Sequence, residues 1–175
     1  MINALRFVGI VNAAIWFGAA VFATLGAGPA FFSEPVLRLV GRPYAGAVAQ
    51  EIWSRYFLLQ YGCGIVAVVH LLVLWISTGR PFARWTLVLL GVVLALVLWS
   101  GARVQPELRR LHLTMYGVRS TPAQVEQSRK SFSRWHGAAQ TANALVLAGL
   151  LLYLWQITRT APSLRFVSQT KFHLE

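Results

Sequence analysis

The sequence predicts an all-α integral membrane protein, a four-helix bundle whose second, third and fourth helices extend beyond the bilayer on one side. Three observations carry that expectation. First, 57% of the 175 residues are apolar and 12% are charged, with a mean hydropathy of +0.57, whereas a soluble domain carries about a quarter charged residues. Second, four apolar runs at 7–32, 61–76, 85–102 and 137–157 each extend to the ~17 to 25 residues that a ~30 Å hydrocarbon core requires. Third, helical periodicity continues past these runs over 44–60, 103–116 and 123–136, amphipathic stretches that project ~20 Å beyond the hydrocarbon. The spans use nearly the whole chain, so we expect one transmembrane domain over 1–158 and a basic C-terminal tail over 159–175.

Each element has a local cause. The first run follows a short basic start ending at Arg6, and its 26 residues exceed the roughly 7 to 15 of a signal-peptide core, so it reads as a retained first transmembrane helix. Ala19, Ala20 and Ala23 offer close helix packing, and Pro29, followed by Ala30, Phe31 and Phe32, kinks or ends the helix at the interface. Ser33 can cap a short turn that Gly41 ends, after which Arg42 and Pro43 put a proline in the first turn of the second helix. Thr78 and Gly79 stop that helix, Pro81 starts the third and Gly117 ends it. Thr121, Pro122 and Gln124 then supply the N-cap, first-turn proline and N3 glutamine of a capping box for the fourth. Trp75, Trp85, Trp99, Trp155 and Tyr153 near the ends of the runs form an interfacial belt.

The net charge of +11 comes from 14 Arg and 2 Lys against five Glu and no Asp. In a soluble chain that balance points to nucleic acid, but the basic residues lie in loops and at the ends of apolar runs. The expected partner is therefore the lipid bilayer, anionic lipids in particular, and no nucleic acid. Four spans put both termini on one side. Ten basic residues on the hairpin side against six on the terminus side predict a cytoplasmic hairpin side in a bacterial inner membrane. A single cysteine, Cys63, excludes an intramolecular disulfide, a CxxC pair and a cysteine-based zinc cluster.

Ionisable and amide groups inside a membrane are costly, so their positions are informative. On the fourth helix His136, Gln140 and Asn143 share one face at i, i+4 and i+7, continued by Ser133 and Arg129. The third carries Arg103, Glu107, Arg110 and Thr114, and the second Glu51, Arg55 and Gln60. A hairpin tip at 117–121 leaves Arg103 and His136 about 16 to 17 residues from it, at similar depth near the hydrocarbon mouth. The candidate ligand site is thus Glu51, Arg55, Arg103, Glu107, Arg134, His136, Gln140 and Asn143. The competing structural reading makes these groups interhelical hydrogen bonds worth about 0.6 to 2 kcal/mol each, and makes Glu51–Arg55 and Arg103–Glu107 simple i, i+4 pairs.

Catalysis and metal binding find less support. His70, His112, His136 and His173 contain no HxxxH or HxxH pair, and His112 lies ~13 Å in depth from His136, so no metal set and no cofactor is expected. His70 and Cys63, at i and i+7, read as packed and inert. With no Asp and no GxSxG, no nucleophilic site is legible, and a non-enzymatic protein is expected.

Trp16 and Gly18, the Gly28, Pro29, Ala30, Phe31 stretch, Ala45, Gly46 and Ala49, Pro106, and the Phe132, His136, Asn143 spacing together resemble a known family over residues 5–157. It is the domain of unknown function 4149 family, the bacterial relatives of transmembrane protein 205. The resemblance implies a four-helix membrane protein without an established activity, and singles out Pro29, Phe31, Pro106, Phe132, His136 and Asn143. Copper-resistance and protoporphyrinogen-oxidase-like membrane families are similar in the first helix, but the histidine that haem or copper would need there is missing. The expected function is binding of a small molecule, ion or anionic lipid headgroup between helices 2, 3 and 4. Arg55, Arg103 and Arg134 would supply the charge, and His136 a group that titrates near neutral pH. The alternatives are a haem- or metal-dependent oxidoreductase using His136, or a structural subunit of a membrane complex or homo-oligomer.

Overall fold

The computed structural model describes residues 2–79 and 83–159, which form four long helices with no strand among them. The first, α1, runs Ile2–Val21, passes through a π-helical turn over Phe22–Ala27 and ends as Gly28–Phe31. The second, α2, is Glu34–Thr78. The third, α3, runs Arg84–Trp99, a second π turn over Ser100–Val104, and Gln105–Tyr116. The fourth, α4, is Pro122–Arg159. All four are long and apolar enough to cross a bilayer. The expected start at Pro81, and the basic tail with Arg165, Lys171 and His173, lie outside the described residues.

Helix boundaries follow local chemistry. Gly41 stands at φ 72 and ψ 162 inside α2, separating the short segment from Glu34 from the long helix that Pro43 opens. Gly79 closes α2 in the left-handed conformation (φ 63), its N–H bonded to the Trp75 carbonyl at 2.9 Å. Ser33 has the extended backbone of an N-cap, but its side chain makes no capping bond. The capping box of α4 is complete: Thr121 N–H donates to Gln124 Oε1 at 2.9 Å, and Gln124 N–H to Thr121 Oγ1 at 3.3 Å. Thr121→Ala should therefore cost about 1 kcal/mol. Hydrogen exchange should accelerate in the first turn of α4 and not at its middle; uniform protection would contradict the assignment.

The two π turns have one cause. Each ends one residue before a helical stretch with proline at its second position, Pro29 in α1 and Pro106 in α3. A proline in a helix lacks its N–H and its ring collides with the carbonyl four residues back, here that of Leu25 or Ala102. Both carbonyls lie inside the widened turns, so the i→i+5 geometry relieves the collision without ending the helix. The sequence suggests a kink or stop at Pro29, and after the widened turn the helix ends two residues beyond it, at Phe31.

α1 packs against α2 and α4, and α3 lies along α4 and meets α2. The buried core is built on Trp16, Leu71, Leu90, Val93, Val97, Val146, Leu150 and Tyr153, with Ala13, Ala20, Ala67 and Cys63 between them. Small residues let the backbones approach, as membrane bundles require when lipid competes equally for apolar side chains. The large apolar residues Leu25, Ile65, Ile76, Val88 and Leu152 point outward instead, the arrangement expected of a surface facing acyl chains rather than water.

Candidate functional site

The candidate residues of the sequence are dispersed over the bundle. Glu51 and Arg55 pair with each other at 3.2 Å and both are exposed. Glu107 pairs at 2.5 Å with Arg110, not with Arg103. Arg103 sits in the π turn, whose wider winding takes it off the i, i+4 face of Glu107. Arg103 and Arg134 are both exposed. Trp99 lies against Trp135 with ring centroids 6.4 Å apart, so Arg103, one turn beyond Trp99, stands ~6 Å further toward the hairpin tip than His136.

The stripe on α4 divides. Asn143 reaches across to α1 and donates from Nδ2 to Thr24 Oγ1 at 2.7 Å, while that hydroxyl donates to the Ala20 carbonyl at 2.7 Å. His136 and Gln140 are exposed, and the His136 ring stacks on Phe132, 5.8 Å between centroids and 10° between planes. The reason is the path of α1. It meets Asn143 at Thr24, but beyond the π turn its last segment, Gly28–Phe31, packs on α2 instead, which leaves the α4 face at His136 open.

A different polar junction joins α2 to α3. Gln105 Nε2 donates to Ser54 Oγ at 3.0 Å and to the Gln50 carbonyl at 3.4 Å. One helical stretch further out, the buried His112 ring fits where Gly46 lacks a side chain, and a Cβ there would collide with His112 Cε1. Its Nε2 lies 3.0 Å from the Pro43 carbonyl, which can only accept, so Nε2 donates. A hollow of about 100 Å³ opens beside it, lined by Ala47, Gln50, Glu51, Arg109, His112 and Leu113. Glu51 is the one member of the sequence-derived set that lines it. His112 and Arg109 were legible only as an amphipathic pattern, because their partner Gly46 lies 66 positions away in sequence.

Charge around this end is unevenly paired. Among the described residues, Glu34, Glu51, Glu107 and Glu126 each hold a cation three or four residues on, respectively Arg38, Arg55, Arg110 and Lys130. Arg42, Arg103, Arg109, Arg119, Arg129 and Arg134 are exposed and have no carboxylate partner among the described residues. No group of three or more His, Cys, Asp or Glu side chains that could hold a metal ion occurs among the described residues.

Inside the bundle, Trp16 and Gln60 are hydrogen-bonded through Trp16 Nε1 and Gln60 Oε1. Asn12 Nδ2 donates to the Cys63 carbonyl at 3.0 Å. The sequence identified Trp16 only through its resemblance and Asn12 not at all, since a lone amide in an apolar run has no periodicity of its own.

No curated protein and no solved structure matches this chain. The sequence profile of a family described as "Domain of unknown function (DUF4149)" matches residues 11–117, which takes in α2, most of α1, both π turns and all of α3. That is more than half of the chain, and with four membrane-length helices around it, this protein belongs to the DUF4149 family.

Proposed function

We propose that this multi-pass membrane protein binds a phosphate-type anion, free or as a lipid headgroup, at the basic mouth formed by α2, α3 and α4. The observation that supports it is the charge pairing. Every described glutamate is already engaged by a neighbour on its own helix, and six arginines around the same end are left without a carboxylate. Arginine presents a planar fork suited to phosphate, and exposed guanidinium groups near a bilayer gain about 1 kcal/mol each from an anionic leaflet. The hollow beside His112 adds Gln50 and Arg109 as donors within reach of a small oxyanion. In this reading the hairpin side faces the cytoplasm of a bacterial inner membrane, where the ten-to-six bias of basic residues would direct it.

The test is lipid selectivity in nanodiscs. Phosphatidylglycerol should be retained over phosphatidylcholine, and the preference should fall by about fivefold for each of Arg103→Gln and Arg109→Gln. It should also weaken with salt, because the guanidinium groups are exposed. Competition by inorganic phosphate identifies a free anion as the ligand; indifference to phosphate with lipid selectivity kept identifies the headgroup. Equal retention of both lipids by the wild type, with no phosphate binding, would overturn the proposal.

A further inference from the structure

The polar groups buried between α1, α2 and α4 play no part in the basic mouth, and they form a second feature. Gln60, Tyr153 and His70 are 1%, 1% and 4% exposed, deep among apolar side chains. Gln60 Nε2, the Tyr153 hydroxyl and both ring nitrogens of His70 make no hydrogen bond to any protein group. The Leu5 carbonyl approaches the His70 ring without reaching hydrogen-bond geometry. Burying such atoms bare in hydrocarbon is among the least favourable things a membrane protein can do, and satisfied polar groups are the rule.

Their positions are ordered. Tyr56, Gln60, Cys63 and His70 follow one another on one face of α2 at i, i+4, i+7 and i+14. Helix register locates the rest. His70 lies against Gly9 and Gln60 against Trp16, so α1 and α2 run antiparallel with residue 14 opposite residues 62–65. Asn143 meets Thr24, which puts Tyr153 of α4 opposite residue 14 of α1. Tyr153 therefore stands at the level between Gln60 and His70, which are themselves ~15 Å apart along α2. Toward the hairpin end, Tyr56 lies beside Gln60, and the Gln105, Ser54 and Gln50 junction continues the polar line outward.

We propose that these groups hold a file of internal water through the core of the bundle, and that His70 accepts and releases the proton it carries, making the protein a proton pathway. A buried water needs two to four polar partners, and the unpaired donors and acceptors of Gln60, Tyr153 and His70 supply them along the core. His70 is the titratable side chain best suited to carry a proton near neutral pH. The ionisable and polar groups near its level are Arg6 and Asn12 on α1, Arg84 and Thr86 at the start of α3, and Tyr153, Gln156, Thr158 and Arg159 on α4. Gly9 gives the ring its space, since a Cβ at that position would collide with His70 Cε1.

The experiment is potential-driven proton uptake by liposomes holding the full chain, read with an entrapped pH-sensitive dye under a potassium diffusion potential. Wild-type uptake should exceed that of protein-free liposomes by about tenfold, and His70→Gln should return it to that background. Tyr153→Phe, which removes one hydroxyl, should slow uptake several-fold while the protein stays monodisperse and helical. Wild-type uptake at the protein-free level overturns the proposal, as does wild-type uptake by His70→Gln. Should His70→Gln fail to fold, Tyr153→Phe and Gln60→Leu decide: unchanged uptake in both overturns the proposal, and slowed uptake in both supports it.

Discussion

Truncating Trp16 to alanine will destabilise the bundle by about 3 kcal/mol, the largest loss expected from any single truncation in the chain. Trp16 is 0% exposed and sits where α1 meets α2, with Ala13 and Ala20 one turn to either side in the same core. Its removal opens a cavity that no neighbour can fill without moving a helix backbone. It also strips Gln60 Oε1 of its indole donor, beside an Nε2 that already makes no hydrogen bond to protein. The value lies at the low end of the roughly 3 to 5 kcal/mol range for aromatic truncation in a core because lipid, not water, solvates the opened state, so packing is lost but little hydrophobic transfer. Trp16→Phe keeps most of the ring and loses the hydrogen bond, and should cost about 1 kcal/mol. Unfolding by denaturing detergent in mixed micelles measures both. A Trp16→Ala midpoint equal to that of the wild type would mean that α1 is not held by this contact.

What the sequence makes legible here is what depends on neighbours in the chain. The glycine break at Gly41, the left-handed stop at Gly79 and the reciprocal bonds of Thr121 and Gln124 each need only a few consecutive residues, and each is found. The four spans follow as directly, since a run of apolar residues long enough for the bilayer admits little else. The π turns are less visible because proline permits several responses, a stop, a kink or a widened turn, and which one wins depends on the packing around it.

The candidate site was legible as a set of residue types but not as an arrangement. Face-sharing on one helix does not say which neighbour covers the face, or for how far. The stripe of His136, Gln140 and Asn143 is real as periodicity, yet only Asn143 bonds to α1, whose last segment packs on α2 and leaves the rest open. The buried histidines, His70 and His112, are instead matched to glycines on other helices, Gly9 and Gly46. Such pairs carry no local signal, because a glycine in a membrane helix looks the same whether a ring or an acyl chain lies above it.

The pairing of Gly46 with His112 makes the second large prediction. Gly46→Val should destabilise the junction of α2 and α3 by about 2 to 4 kcal/mol, since the new side chain must displace a buried ring and its hydrogen bond. The ring has nowhere simple to go: it is held by the Pro43 carbonyl on one side and lies against Tyr116, 4.9 Å between centroids, on the other. If volume is the cause, the defect is specific to the pair. His112→Ala vacates the space that the introduced valine needs, so the double variant should regain at least about half of the loss, a strong favourable coupling in a double-mutant cycle. If Gly46 matters for backbone freedom or helix propensity alone, the two losses should simply add. The same cycle bears on the basic mouth, because His112 and Arg109 line one hollow. Gly46→Val should weaken phosphatidylglycerol retention along with stability, whereas Arg109→Gln should weaken retention and leave the unfolding midpoint unchanged. That contrast separates a residue that builds the mouth from one that binds in it.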